Sequence, residues 1–497
     1  MVDGKTDTPA RLLADVQALR EEIAADGKAL YHTWRGRIDR HAFAASPLNF
    51  AHYLVLRRAD LRQLQRRLMV LGLSSLGRCE GHVLTTLDTI AWALGRMTGT
   101  DELKCPAERQ FFRGERRLIA NTAELFGAPR EGRSGRIMVT LGTEAADDPR
   151  LVPDLVARGA DIVRINCGHD DSDVWQRMIE NTRAAARPVR VLMDIAGPKV
   201  RMEKVIAPAD RKHFLVGDTL LLCRKIDASR EAFAFQATCA PASVLDRLTV
   251  GDAVSVDDGK LRGTIVASAE GSFAVKLTDG RLKGVKIKAG RGLNFPAVDL
   301  DLDPLTPKDL RDLDFVARYA DLVGHSFVQN AKQVALLQKE LAARRPDWQT
   351  LGLVAKIETP AAVLNLPEII VQAAGRQPLA VMIARGDLAV EIGFERVAEM
   401  QEEILWLCEA AQVPAIWATQ VLEGLVQEGL PSRGEMTDAA MSVQAECVML
   451  NKGPNLAAGV DALDRLIRRM GENRIKKTPT LRALHSWPEK TEASTNV

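Results

Sequence analysis

Eight short apolar runs recur along this chain, at residues 137–141, 162–166, 191–195, 322–327, 352–357, 380–384, 415–418 and 447–450. Each is four to six residues long, the length of a strand buried on both faces and too short for a buried helix. Stretches with helical character lie between most of them, for example 172–185 and 396–412. Consecutive parallel strands need a crossover of a dozen or more residues, which such a helix supplies. Eight strand–helix units in series close into a barrel, with chemistry at the carboxyl ends of the strands. The expected fold class is α/β, a (β/α)8 TIM barrel formed from residues 135–201 and 292–472.

The alternation breaks once. Residues 202–291 read as strands punctuated by Gly and Asp, with Asp257-Asp258-Gly259 and Asp279-Gly280 as turn signals. A small β-barrel domain inserted at the mouth of the larger barrel is expected, placed to act as a lid. Residues 1–134 carry helical stripes: Leu12, Val16, Leu19 and Ile23; Leu61, Leu64, Leu68 and Leu71; Val83, Leu87, Ile90 and Leu94. The second of these helices is expected to carry Arg57, Arg58, Arg62, Arg66 and Arg67, as a solvated face rather than a nucleic-acid site. A polar tail, 473–497, is expected to be loosely ordered.

Composition narrows the class. A chain of 497 residues with 46% hydrophobic and 27% charged residues is ordinary globular protein of more than one domain. A formal net charge of +2 gives no reason to expect nucleic acid or an anionic membrane as partner. The start is polar, no secretory h-region follows, and no apolar run is long enough to span a bilayer. The 7 cysteines form no C-x-x-C pair, and several sit in apolar strings, so buried inert thiols and a cytoplasmic location are expected.

Polar residues gather where the apolar strands end. Arg164, Asn166 and His169 follow the second strand, Asp194, Lys199 and Arg201 the third, Lys356 and Glu358 the fifth, Arg385, Gly386 and Asp387 the sixth, and Thr419 the seventh. Burying so many charges is costly unless they serve a purpose, and strand ends of such a barrel are where catalysis sits. Glu358 and Asp387 are hard oxygen ligands without His or Cys neighbours, so Mg²⁺ or Mn²⁺ is expected rather than Zn²⁺. The segment from Arg385 to Leu388 is expected to open a helix whose free N–H groups suit a substrate carboxylate. Lys356, Arg164 and Arg201 supply positive charge for a phosphoryl group in flight, and no Walker loop is present.

With these residues in place, the chain from about residue 136 to 453 resembles the pyruvate kinase family. The ordered set is Arg164-Ile165-Asn166, Gly197-Pro198-Lys199-Val200-Arg201, Val256-Asp257-Asp258-Gly259, Lys356-Ile357-Glu358, Ala384-Arg385-Gly386-Asp387-Leu388 and the run Ala418 to Glu423, spaced around the insert. The resemblance implies phosphoenolpyruvate and ADP as substrates, and pyruvate and ATP as products. It implies Glu358 and Asp387 as metal ligands, and Arg164 and Lys356 as the phosphoryl-binding pair. Ala384, Gly386, Asp387 and Thr419 fall on the carboxylate-binding positions, with Thr419 also near where the enolate is protonated. Asn166, His169 and Arg201 fall on nucleotide-side positions.

The departures carry expectations of their own. The family's monovalent-cation site maps onto Asn166, Gly168, Asp194 and Ile195, and Gly168 replaces its serine, so the site is degenerate. Family members with Lys after Gly-Pro tend not to require potassium, and here that residue is Lys199, a surrogate for the cation. Leu450-Asn451-Lys452-Gly453 replaces a motif whose serine serves the proton relay, and Thr143 replaces a proline on the adenine side. The chain ends soon after the eighth barrel helix, so sugar-phosphate regulation through a further domain is not expected. A homo-oligomer built through the barrel or the helical region is compatible with the pattern. Two other readings stay open: a metal-dependent pyruvate-enolate lyase or aldolase on the same barrel, and a non-catalytic sensor of phosphoenolpyruvate or nucleotide.

Overall fold

The barrel closes as the spacing predicts. In this computed structural model, which describes residues 8–479 except 209–210, 212, 228–232, 234, 282, 297, 472–473 and 477, eight parallel strands form one closed sheet. They are Arg136–Thr140, Ile162–Asn166, Arg190–Asp194, Leu322–His325, Gly352–Ile357, Leu379–Ala384, Ala415–Ala418 and Cys447–Leu450. The first pairs with the eighth, in a register that sets Arg136 opposite Cys447. Most of the expected tail, 473–497, lies outside the described residues.

Alternation along each strand sends one set of side chains inward and the other to the helices. Met138, Ile162, Leu192, Leu322, Val354, Met382, Ile416 and Met449 share the inner cluster. Val139, Val163, Val191, Val323, Leu353, Val381 and Val448 join the outer layer under the helices. Two residues from outside the barrel complete the inner cluster: Leu125 and Phe126, at the end of the helix Arg113–Phe126. The helical region thus contributes side chains to the barrel's own core.

The expected helical stripes are present. Thr8 caps the helix Pro9–Trp34, with proline in its first turn, and Leu12, Val16 and Ile23 are buried. Val83, Leu87, Ile90 and Leu94 are buried on the helix Val83–Met97. The basic residues do not share one helix, contrary to expectation. Ser46–Leu56 ends at Arg57 and a new helix runs over Arg62–Val70. Asp60 accepts from the Arg62 backbone N–H at 3.1 Å, a local side-chain bond that competes with helix continuation. Arg57 stacks 4.8 Å over Trp406, Arg62 pairs with Asp60, and Arg67 pairs with Asp15 at 2.7 Å.

The insert is a seven-stranded sheet with its own core around Phe214, Leu220, Phe235 and Val275. Its edge strands, Arg201–Ile206 and Leu293–Asn294, are joined by an isolated bridge at Arg201 and Gly292 rather than a continuous ladder. The expected turn at Asp257-Asp258-Gly259 is there, all three residues at positive φ (53°, 54° and 85°). Asp279 and Gly280 instead belong to the strand Ser272–Gly280, because the hairpin turns one segment earlier, at Glu270 and Gly271. All seven cysteines are free thiols, and six are buried. Among the described residues no helix is long and apolar enough to cross a membrane.

Candidate active site

Four neighbouring strand ends build a chain of buried charges. Asp194 ends the third barrel strand, and its Oδ2 accepts from Arg164 Nε at 2.7 Å and lies 3.6 Å from Lys356 Nζ. Lys356 also donates to Ser326 Oγ at 2.8 Å and sits 3.0 Å from Glu358 Oε1. The other oxygen of Glu358 accepts the Phe327 backbone N–H at 2.5 Å. Arg164 makes a further bond to Thr140 Oγ1 at 3.2 Å. Burial would raise the Asp194 carboxyl, but Arg164 and Lys356 together outweigh it and hold it below the usual carboxylate range. Burial likewise opposes the charge on Lys356, and Glu358 and Asp194 overcome it, so the ammonium is held above its ordinary range. Glu358 is pushed up, first by burial and then by the nearby Asp387, with Lys356 pulling the other way.

Asp194 needs room that one neighbour provides. A Cβ at Gly324 would come 1.9 Å from Asp194 Oδ1, so glycine is required on the adjacent strand. That oxygen is buried and has no hydrogen-bond partner, an acceptor left open in the barrel mouth. The sequence places Asp194 at the third strand end and in the degenerate cation site, and none of its motifs includes Ser326. The signal available for Ser326 was the polar break Gly324-His325-Ser326 inside an apolar run.

The second acid comes from the sixth strand. Ala384 caps the helix Arg385–Ile392, and Asp387 lies in its first turn. The N–H of Gly386 donates to Thr419 Oγ1 at 2.7 Å, which ties the expected carboxylate-binding residues to one another. Thr419 and Gln420 sit at positive φ (66° and 56°), an unfavourable backbone for such residues and a mark of strained functional turns. Arg385 does not face this group. It stacks 4.7 Å from the Trp417 ring and bonds Asp438 at 2.9 Å and the Thr419 carbonyl at 2.6 Å.

Lys199 joins the insert side to the barrel. Its Nζ lies 2.7 Å from Asp387 Oδ1 and 3.2 Å from Asp258 Oδ1. Burial opposes its charge, but these two carboxylates prevail and hold the ammonium above its ordinary range. Each expected metal ligand therefore has an ammonium partner, Glu358 with Lys356 and Asp387 with Lys199. Among the described residues no group of three or more His, Cys, Asp or Glu is arranged to hold a metal. The donor set is two carboxylates on adjacent strand ends, which fits a hard divalent cation that takes its remaining oxygens from substrate and water.

Of the remaining candidates, Asn166 and His169 border a cleft of about 520 Å³ lined also by Thr140, Arg164, Asn451 and Lys452, among others. Asn166 Oδ1 accepts the Gly168 N–H at 3.0 Å. Burial, then the charges of Lys452 and Arg201, push the His169 imidazole below its ordinary range. Arg201 stands apart from the cleft lining, donating to the Gly290 carbonyl at 3.1 Å. Ile195 is fully buried in the outer core, so only its backbone is open to a ligand role. Asn451 donates to Glu423 at 3.2 Å, and Thr143 to Asp170 at 2.8 Å.

A family model described as the pyruvate kinase barrel domain matches residues 132–459. The chain belongs to the pyruvate kinase family. A pyruvate kinase of Methylorubrum extorquens is 31% identical over 339 residues, covering 65% of this chain and 64% of that protein. One of Mycobacterium tuberculosis is 31% identical over 360 residues, 70% of this chain and 72% of that protein. One of Dictyostelium discoideum is 27% identical, covering 64% of this chain and 61% of its own length. The chain thus spans 61–72% of these pyruvate kinases, and its helices before residue 132 lie outside the family match.

Proposed function

We propose that this chain transfers the phosphoryl group of phosphoenolpyruvate to ADP, giving pyruvate and ATP. The observation that carries the reading is the buried chain Arg164–Asp194–Lys356–Glu358 facing the Asp387–Thr419 group across one barrel mouth. Arg164 and Lys356 are two cations held rigid by a shared acid, which suits a phosphoryl group whose charge must be met without reorganisation. The amide end of the helix at Ala384, Gly386 and Asp387, with the Thr419 hydroxyl, receives the substrate carboxylate. Glu358 and Asp387 would hold Mg²⁺ or Mn²⁺, which when bound adds positive charge beside the substrate oxygens. Lys356 neutralises charge developing on the enolate oxygen, and a proton reaches the methylene carbon by a path passing Thr419. Asn166, His169 and Arg201 lie on the nucleotide side, and residues 202–291 act as a lid that keeps water out.

Potassium independence belongs to the same proposal. The Lys199 ammonium supports it, because it already supplies a fixed positive charge against Asp387. Two assays test the reading. Purified protein with phosphoenolpyruvate, ADP and Mg²⁺ is expected to form pyruvate and ATP in equal amounts, and Asp387→Ala to abolish both. No ATP with any nucleoside diphosphate or divalent metal would refute phosphotransfer. In tetramethylammonium buffer the native rate is expected to change less than twofold on adding KCl, and a strong potassium requirement would remove the role given to Lys199.

A further inference from the structure

Lys452 sits on the turn after the eighth barrel strand, Cys447–Leu450, and its place there is set by the backbone. Its carbonyl accepts from Gln427 Nε2 at 2.7 Å, and the Asn455 N–H donates to the Val426 carbonyl at 3.0 Å. Both bonds pin the turn to the helix Glu423–Glu428. The side chain is exposed and borders the 520 Å³ cleft, a size ordinary for a small-molecule site, beside Arg164, Asn166, His169 and Arg291.

The cleft lining carries three cations, Arg164, Arg291 and Lys452, and three acids, Asp170, Asp258 and Glu423, and they differ in which are held in ion pairs. Arg164 is matched by Asp194 at 2.7 Å and Arg291 by Asp257 at 3.3 Å. Of the acids, Asp258 is paired with Lys199, whereas Asp170 and Glu423 accept hydrogen bonds from the neutral Thr143 and Asn451. Among the described residues the Lys452 ammonium makes no ion pair. The field of Lys452 is felt at His169, where, after burial, it helps hold the imidazole below its ordinary range. An ammonium without an ion pair, on a pinned turn at the open side of a cleft, is free to meet an anion that comes and goes. The phosphoryl pair Arg164 and Lys356 lies deeper, buried on Asp194.

We propose that Lys452 binds the phosphates of the nucleoside diphosphate in this cleft and sets the affinity for it; this rests on the phosphotransfer reading. Three charge-assisted donors on a flexible stem match phosphate oxygens without fixed geometry. Losing one such contact costs about tenfold in affinity.

The experiment measures ADP binding to the full chain by calorimetry, without phosphoenolpyruvate, at low and high salt, beside steady-state KM values. Lys452→Met is expected to weaken ADP about tenfold and to flatten the salt dependence. Lys452→Glu should weaken it further, and Lys452→Arg should stay within threefold of the native protein. The KM for ADP should rise in step while that for phosphoenolpyruvate moves less than twofold. Native-like ADP affinity in both Lys452→Met and Lys452→Glu overturns the proposal. So does a parallel rise in both KM values, which is what a merely structural residue would produce, and so does an unaltered protein that fails to bind ADP. ADP binding that weakens in Lys452→Met while no variant forms pyruvate supports the role of Lys452 and refutes phosphotransfer instead.

Discussion

Replacing Asp194 with Asn keeps the shape of the side chain and removes the negative charge shared by two buried cations. Arg164, 2.7 Å away, loses its only carboxylate partner among the described residues, whereas Lys356 keeps Glu358 at 3.0 Å. Removing one partner of a buried ion pair costs about 3–5 kcal/mol, because the surviving charge stays desolvated. The lower end applies here, since Asn still accepts a hydrogen bond from Arg164 and Lys356 is only partly deprived. About 3 kcal/mol corresponds to a fall in melting temperature of roughly 6–12 °C for a domain of this size. The rate should fall further than stability alone accounts for. A guanidinium freed from its anchor is displaced from the phosphoryl group, and such a misplacement costs about a hundredfold. Thermal unfolding followed by circular dichroism gives the first quantity, and pyruvate formation under saturating phosphoenolpyruvate and ADP gives the second. An Asp194→Asn protein that melts within 2 °C of the native protein and turns over within threefold of it would show that Asp194 does not hold this pair.

Among the imidazoles that burial depresses, His325 falls to about 3, with Lys356 adding to the effect, and His52 to about 4, with Arg20 adding to it. The unfolded chain takes up these protons near pH 6.5 and the folded chain does not, so the stabilisation is complete above that pH and is lost as pH falls towards the folded values. Each histidine costs about 2 kcal/mol at pH 5; His325→Leu should therefore narrow the pH 7 to pH 5 drop in urea midpoint, and parallel curves would refute the assignment. Gly114→Ala should lower the melting temperature by several degrees, because a Cβ there meets the Gly81 carbonyl oxygen at 2.2 Å, whereas Gly36→Ala, with nothing within 4 Å, should not. Phe126→Ala should destabilise the barrel itself by about 3–5 kcal/mol, since Phe126 belongs to its inner cluster, and calorimetry that finds only the helical region weakened would contradict this.

The barrel was legible because its strands are buried on both faces, so each appears as a mainly apolar run with few polar breaks. The bounds of Ile162–Asn166, Gly352–Ile357, Ala415–Ala418 and Cys447–Leu450 follow the expected runs residue for residue. The fourth strand was expected two residues too long, because Ser326 and Phe327 continue the chain into the mouth after the ladder stops at His325. Most candidate acids and cations stand at strand ends because they follow a buried run, but Arg385 directly follows one and turns to Asp438 instead.

What the spacing of residues determined by itself was the α/β class, the order of the barrel strands and which residues stand at the strand ends, because period and burial are local properties of a run. Which charge holds which was decided only by the tertiary structure. Lys199 and Asp387 are 188 positions apart and meet at 2.7 Å. Arg385, two residues from Asp387, turns instead to Asp438. Asp194 is shared by Arg164 and Lys356 only because three strands lie side by side and Gly324 leaves space for it. Leu125 and Phe126 read as the end of an ordinary helix, yet they belong to the inner core of the barrel. An ion pair or a packed side chain depends on distance in space, which a chain acquires only when closure of the barrel brings remote segments together.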